Sequence, residues 1–329
     1  MITSTPVARW TWGRDAHGED KIAMCLRELL VAYTVLLKYR LAVDAPEVSV
    51  SVHEAGQPNT FLYRGDLRFD ATWPDPAQQL ADAVKAGLRS GKIGSVYADA
   101  NSAGVIVDGG EEFREDGLFQ VGASVLLDHI GVDLETPSDA WMPYDLKGRA
   151  QPSVHAANAP RLSAALRDLS ETLDSETDPD DPTYFGKPTE TGVDNYFDEG
   201  GAASDVWSGF EIPRRYSAFR HTPGFGRIGY KRSVEGDVQY VPVRDEQHGM
   251  LGYLWVSDAQ NGASFEPQDL DDEAKYKASL SWLDRLASAY DRGLSPAQAL
   301  AELVDLDENE RPGVIELDRL RELASGNRP

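Results

Sequence analysis

Residues 47–54, EVSVSVHE, alternate apolar and polar side chains, directly after a stretch whose apolar residues recur every three or four positions. That switch of period is the tightest constraint in the chain. Ile22, Leu26, Leu29, Leu30, Tyr33, Leu36 and Leu37 lay one apolar stripe along a helix over about residues 19–41, whereas a period of two gives a strand with one buried and one solvated face. The stripe and the buried face need each other. The next segment, TFLYRGDLRFDA, reads as two short strands about Gly65 and Asp66, so the expectation is antiparallel hairpins packed with helices, an α+β fold.

Similar signals continue along the chain. DPAQQLADAVKAGLRSG opens with Asp75 as a cap and Pro76 in the first turn, and Gly91 follows its end, which predicts a second helix. IGSVYADANSAGVIVDGG reads as two strands turning through residues 99–103, and GLFQVGASVLLDHIGVDL as a further extended run. A helix beginning near Asn158, with that side chain as its cap, aligns Leu162, Leu166, Leu169 and Leu173. Farther on come strands at residues 228–232, 238–244 and 250–257, a helix at about 270–290 with Tyr276, Leu280, Leu283 and Ala287 on one face, and two short helices, the first capped by Ser295.

A length of 329 residues exceeds the size at which one core usually stops growing. Two units are therefore expected, each a small, mostly antiparallel sheet packed with helices. Residues 1–170 form an N-terminal α+β domain, 171–205 an acidic linker or long surface loop, 206–293 a C-terminal α+β domain and 294–329 a helical extension. The middle segment carries eleven acids against Lys187 alone, mixed with Pro, Gly, Ser and Thr. Its aromatic residues Tyr184, Phe185, Tyr196 and Phe197 are expected to dock rather than remain disordered.

The chain holds 32 basic and 55 acidic side chains, a formal charge of −23. Such a field repels phosphate backbones and anionic lipid heads and attracts basic proteins, so no nucleic acid or membrane partner is expected. The apolar run at residues 29–37 is too short to span a bilayer, and the first residues lack the apolar core of a secretory signal, which points to a cytoplasmic protein. The single cysteine, Cys25, excludes an intrachain disulfide and reads as a small core side chain.

Recognisable catalytic machinery is missing: there is no GxSxG, HExxH, P-loop or CxxC, and His17, His53, His129, His155, His221 and His248 follow no ligand spacing. GFGRIG places Gly224, Gly226 and Gly229 in the dinucleotide pattern, yet strands rather than a helix are predicted after it. Asp305, Asp307, Asn309 and Glu316 fall at calcium-loop positions, but Glu310 stands where that loop needs glycine. No cofactor or metal is expected. His248 sits in DEQHG between two alternating runs and reads as the tip of a hairpin.

Around that hairpin, Val241, Pro242, Val243, Gly252, Tyr253, Leu254, Phe265, Pro267 and Asp269 are similar to the closing strands and last helix of GAF-type sensory domains, over about fifty residues. The resemblance implies a ligand-sensing module, with a small anion near Arg214, Arg220 and Arg227, part of a run over residues 212–234 that holds six basic residues and no acid. In overall character the chain is similar to the immunity proteins of bacterial polymorphic toxins, which are acidic, α+β and cofactor-free. The leading expectation is therefore a non-catalytic protein that engages a basic protein partner. Trp141 and Tyr144 of DAWMPYD, Asp178, Asp180, Asp181, Tyr184, Phe185, Tyr196 and Phe197 are the expected contact residues. A hydrolase or transferase whose acids and histidines converge only in the fold is a further alternative.

Overall fold

The computed structural model describes residues 1–15, 20–68, 73–220, 225, 234–304 and 311–325. The fold class is α+β, and the chain divides into two compact units, Met1–Trp207 and Ser208–Pro329.

The first unit is built on a seven-stranded antiparallel sheet. In chain order it contains β1 (Ala8–Asp15), α1 (Lys21–Lys38), β2 (Glu47–Glu54), β3 (Gln57–Arg68), α2 (Pro76–Ala86), β4 (Ile93–Asp108), β5 (Glu111–Leu126), β6 (His129–Thr136), α3 (Pro152–Leu173) and β7 (Asp178–Pro179). A small hairpin of β8 (Lys187–Thr189) and β9 (Gly192–Asp194) follows. The strand order is β3-β2-β4-β5-β6-β1-β7. One face of the sheet, with Val50, Ala98, Ala123, Val132, Trp10 and Trp12, is buried against helices, and Cys25, Leu26 and Leu29 of α1 are fully buried there. The other face carries the polar half of each strand.

Several expectations are corrected. No turn occurs at Gly65: β3 runs straight through it, because Gly65 pairs with Val50 and the hairpin turns instead at Gly56, whose φ is +76°. Residues 99–103 are likewise strand. β4 bulges between Ser102 and Gly104, where Ser102 Oγ donates to the Leu41 and Phe119 carbonyls, and the chain reverses only at Gly109 and Gly110. The third helix begins at Pro152, so Asn158 lies inside it rather than capping it. Its buried amide accepts from Val107 N and donates to Val107 O, pairing with β4 as a neighbouring strand would.

The acidic segment belongs to the first unit: β7 pairs with β1, and Phe185 and Val193 are buried. β1 itself escaped the sequence reading, although Ala8, Trp10 and Trp12 alternate with Arg9, Thr11 and Gly13.

The second unit contains α4 (Ile212–Arg220), which continues a π-helical turn at Trp207–Glu211, then β10 (Asp237–Asp245), β11 (Gly249–Ser257), β12 (Gly262–Pro267), α5 (Glu273–Asp291), α6 (Pro296–Leu303), β13 (Gly313–Glu316) and α7 (Leu317–Ala324). Its antiparallel sheet runs β12-β11-β10-β13. Leu251, Leu254 and Phe265 meet Phe219, Leu283, Leu286 and Leu300 on one face, while Val238 and Trp255 meet Leu317 and Leu320 on the other. Ser295 caps α6 with a full capping box. The glycines at 224, 226 and 229, the strand at 228–232, and Asp305, Asp307, Asn309 and Glu310 lie outside the described residues, as do His17 and His221.

Candidate functional site

The solvent side of the seven-stranded sheet concentrates polar chemistry, and the strand register decides which residues meet there. Pairing places Asp66 opposite Ser49, Ser49 opposite Asp99, Asp99 opposite Gly122, Gly122 opposite Asp133, Asp133 opposite Thr11 and Thr11 opposite Asp178. One row therefore crosses all seven strands, with an aspartate on every second strand and a small side chain or none between. Strands lie about 4.8 Å apart, so successive aspartates are spaced roughly 10 Å along the row.

Burial and mutual repulsion act on these acids. Burial pushes the Asp99 carboxyl above its ordinary value, and the charges of Asp133 and Asp66 push it further. Asp133 and Glu135 are raised chiefly by burial, an effect that Arg9 partly offsets. Arg9 lies 3.4 Å from Asp133, 3.3 Å from Glu135 and 3.9 Å from Asp180, so one guanidinium serves three carboxylates. Gln120 and Ser49 donate to Asp99 and Asp66, at 3.5 and 2.6 Å.

Among the described residues, two hollows indent this face. A groove of about 760 Å³ runs over β1 and β6 between Arg9, His129 and Asp133, walled by Asp174, Ser175, Glu176 and Asp178. A second, of about 560 Å³, lies over β2, β3 and β4 between His53, Phe61, Tyr97, Asp66 and Asp99. Its aromatic end is ordered: the His53 ring stands 4.5 Å from Phe61 and 5.4 Å from Tyr97. His53 Nδ1 donates to the Pro58 carbonyl at 2.6 Å, and Nε2 lies 3.3 Å from Ser51 Oγ, so the ring's orientation is fixed.

The contact residues expected from sequence are distributed differently. Asp178 joins the row, and Asp180 and Asp181 follow it, exposed. Trp141 is 1% exposed; its Nε1 donates to Thr136 Oγ1 and its ring lies 5.1 Å from Phe119. It belongs to the core, as does Phe185. Tyr144 and Phe197 pair edge to face at 5.9 Å, and the Tyr196 hydroxyl donates to the Thr183 carbonyl. Tyr184 and Phe197 present their rings outward. Asp66, Asp99, Asp133 and Glu135 were not singled out in the sequence, although YADAN, GVDLE and RGDLR each alternate an acid with apolar or small neighbours.

In the second unit, Arg215 is fully buried between Glu211 and Glu273, donates to the Leu270 carbonyl, and lies over the Tyr276 ring. It is therefore a structural cation. Arg214 and Arg220 are six positions apart on α4, about 120° around the helix, and the Arg220 charge acts on half-buried Glu266. Arg227 lies outside the described residues. At the hairpin tip, Asp245 accepts from the amides of Gln247 and His248 and from His248 Nδ1, a local turn that accounts for the histidine.

Among the described residues, no group of three or more His, Cys, Asp or Glu side chains is arranged to hold a metal ion, and no helix is long and apolar enough to cross a membrane. No family model, curated protein or solved structure matches the chain.

Proposed function

We propose that the protein is a non-catalytic binding protein whose acidic sheet face engages a basic protein partner, in the manner of an immunity protein that blocks a toxin. The observation that carries this reading is the row of aspartates at 66, 99, 133 and 178 on the polar side of the sheet. Carboxylates raised by burial and by each other are an expense to the free protein, which an incoming cation reverses. Gly131 in the floor of the groove over β1 and β6 lets a partner approach the backbone closely. A net charge of −23 adds long-range steering.

Binding of fluorescent nona-arginine, read by anisotropy at low and high ionic strength, tests the reading. Wild type should bind in a salt-dependent way. Asp99→Asn, Asp133→Asn and Asp178→Asn combined should weaken binding at least about tenfold, as expected for losing several charge contacts. Equal affinity of the triple variant at low salt would sink the proposal.

A further inference from the structure

The hollow over β2, β3 and β4 has a feature that charge alone does not explain. Tyr97 lies on the polar face of β4, 42% exposed, where the neighbouring strand positions hold serine and aspartate. It forms a wall with His53 and Phe61, and Asp66 and Asp99 close the opposite end. An aromatic wall facing carboxylates suits a flat organic cation: the ring faces attract its charge while the carboxylates accept its N–H groups. Guanidinium fits better than ammonium, because it is planar, weakly hydrated and able to bond a carboxylate through two parallel N–H groups. Arg64 also lines the hollow and lies 5.4 Å over Phe61, so that ring already holds a guanidinium and a guest would meet Tyr97 and His53. Ser49 holds Asp66 in place from the floor, and Ser51 contacts His53.

We propose that this hollow is an arginine-binding subsite, which receives one arginine side chain of the basic partner between the aromatic rings of Tyr97 and His53 and the carboxylates of Asp66 and Asp99. The assignment rests on the binding function proposed above and makes that end of the face its anchoring point. It differs from the groove over β1 and β6, where the resident Arg9 pairs with the acids, in that its own resident cation, Arg64, lies over an aromatic ring.

The test uses the full chain, isotopically labelled, and the ring resonances of Tyr97, Phe61 and His53 as probes. Nα-acetyl-arginine methylamide should shift them saturably. The citrulline counterpart, of the same shape but neutral, should not, and the lysine counterpart should bind several-fold more weakly. Tyr97→Leu, which keeps an apolar side chain on an exposed strand position, should weaken arginine binding about five- to tenfold, whereas Tyr97→Phe should retain it. Equal shifts from citrulline, or arginine binding unaltered by Tyr97→Leu, would overturn the subsite. Nona-arginine that binds the face without moving these rings also overturns the subsite and leaves the wider reading intact. Arginine held here, with nona-arginine indifferent to Asp99, Asp133 and Asp178, overturns the wider reading alone.

Discussion

The carboxylate of Asp133 lies across the bare backbone of Gly122: a Cβ built on that glycine would stand 2.6 Å from Asp133 Oδ1. Asp99 flanks the same glycine from the other side, and the two acids face each other across one strand with no side chain between them. The charge of Asp133 adds to the burial that raises the Asp99 carboxyl, and Arg9, 3.4 Å from Asp133, offsets part of it.

The Asp99 carboxyl is raised in the folded protein by burial and by Asp133 and Asp66. A raised carboxyl favours the native state when protonated, and that contribution fades as pH rises through the folded value. We therefore expect Asp99→Asn to stabilise the protein at neutral pH, by up to about 1 kcal/mol. The gain should vanish below the unfolded carboxylate range, about 3.9. Thermal melts of both proteins from acid to neutral pH check the sign; a gain that persists at low pH contradicts it.

Asp178, Asp180 and Asp181 changed together to Asn should leave the melting temperature within a few degrees of wild type, since these side chains are largely exposed. Nona-arginine affinity should fall, with a shallower salt dependence. Unfolding of this variant would instead assign the acids a structural task.

Trp141→Ala should cost about 3–5 kcal/mol, because the indole is buried against Phe119 and its N–H bonds Thr136. Chemical denaturation measures it. A wild-type midpoint would return Trp141 to the surface.

In the second unit, Leu283→Ala should cost about 2–5 kcal/mol, since Leu283 packs into the core beside Leu286, Phe265 and Leu300. An unchanged unfolding transition would contradict that packing.

Cys25 is fully buried on α1, and its thiol, pushed far above its ordinary value by burial, contacts the Ala123 carbonyl at 3.3 Å. We expect no reaction with a thiol reagent in the native protein and full reaction in denaturant. Rapid labelling of the native chain would show that α1 opens readily.

Local physics made much of the fold legible. The apolar stripe of α1, the caps of Asp75 and Ser295, the alternation in β2 and the hairpin tip at Asp245 to His248 follow from periods, propensities and turn chemistry within a few residues. Where glycine or serine inside a strand looks like a turn, as at Gly65 and Ser102, only the partner strand reveals that the chain continues.

The sequence by itself determined an α+β fold, a strongly acidic charge and which side of each strand is apolar. Tertiary structure decided that Asp66, Asp99, Asp133 and Asp178 share one row, because β1 pairs with β6 and β7 with β1 across long stretches of chain. Alternation specifies a face but not a neighbour. Register is selected by burying every apolar face at once, and a slip of one residue would turn each acid toward the helices.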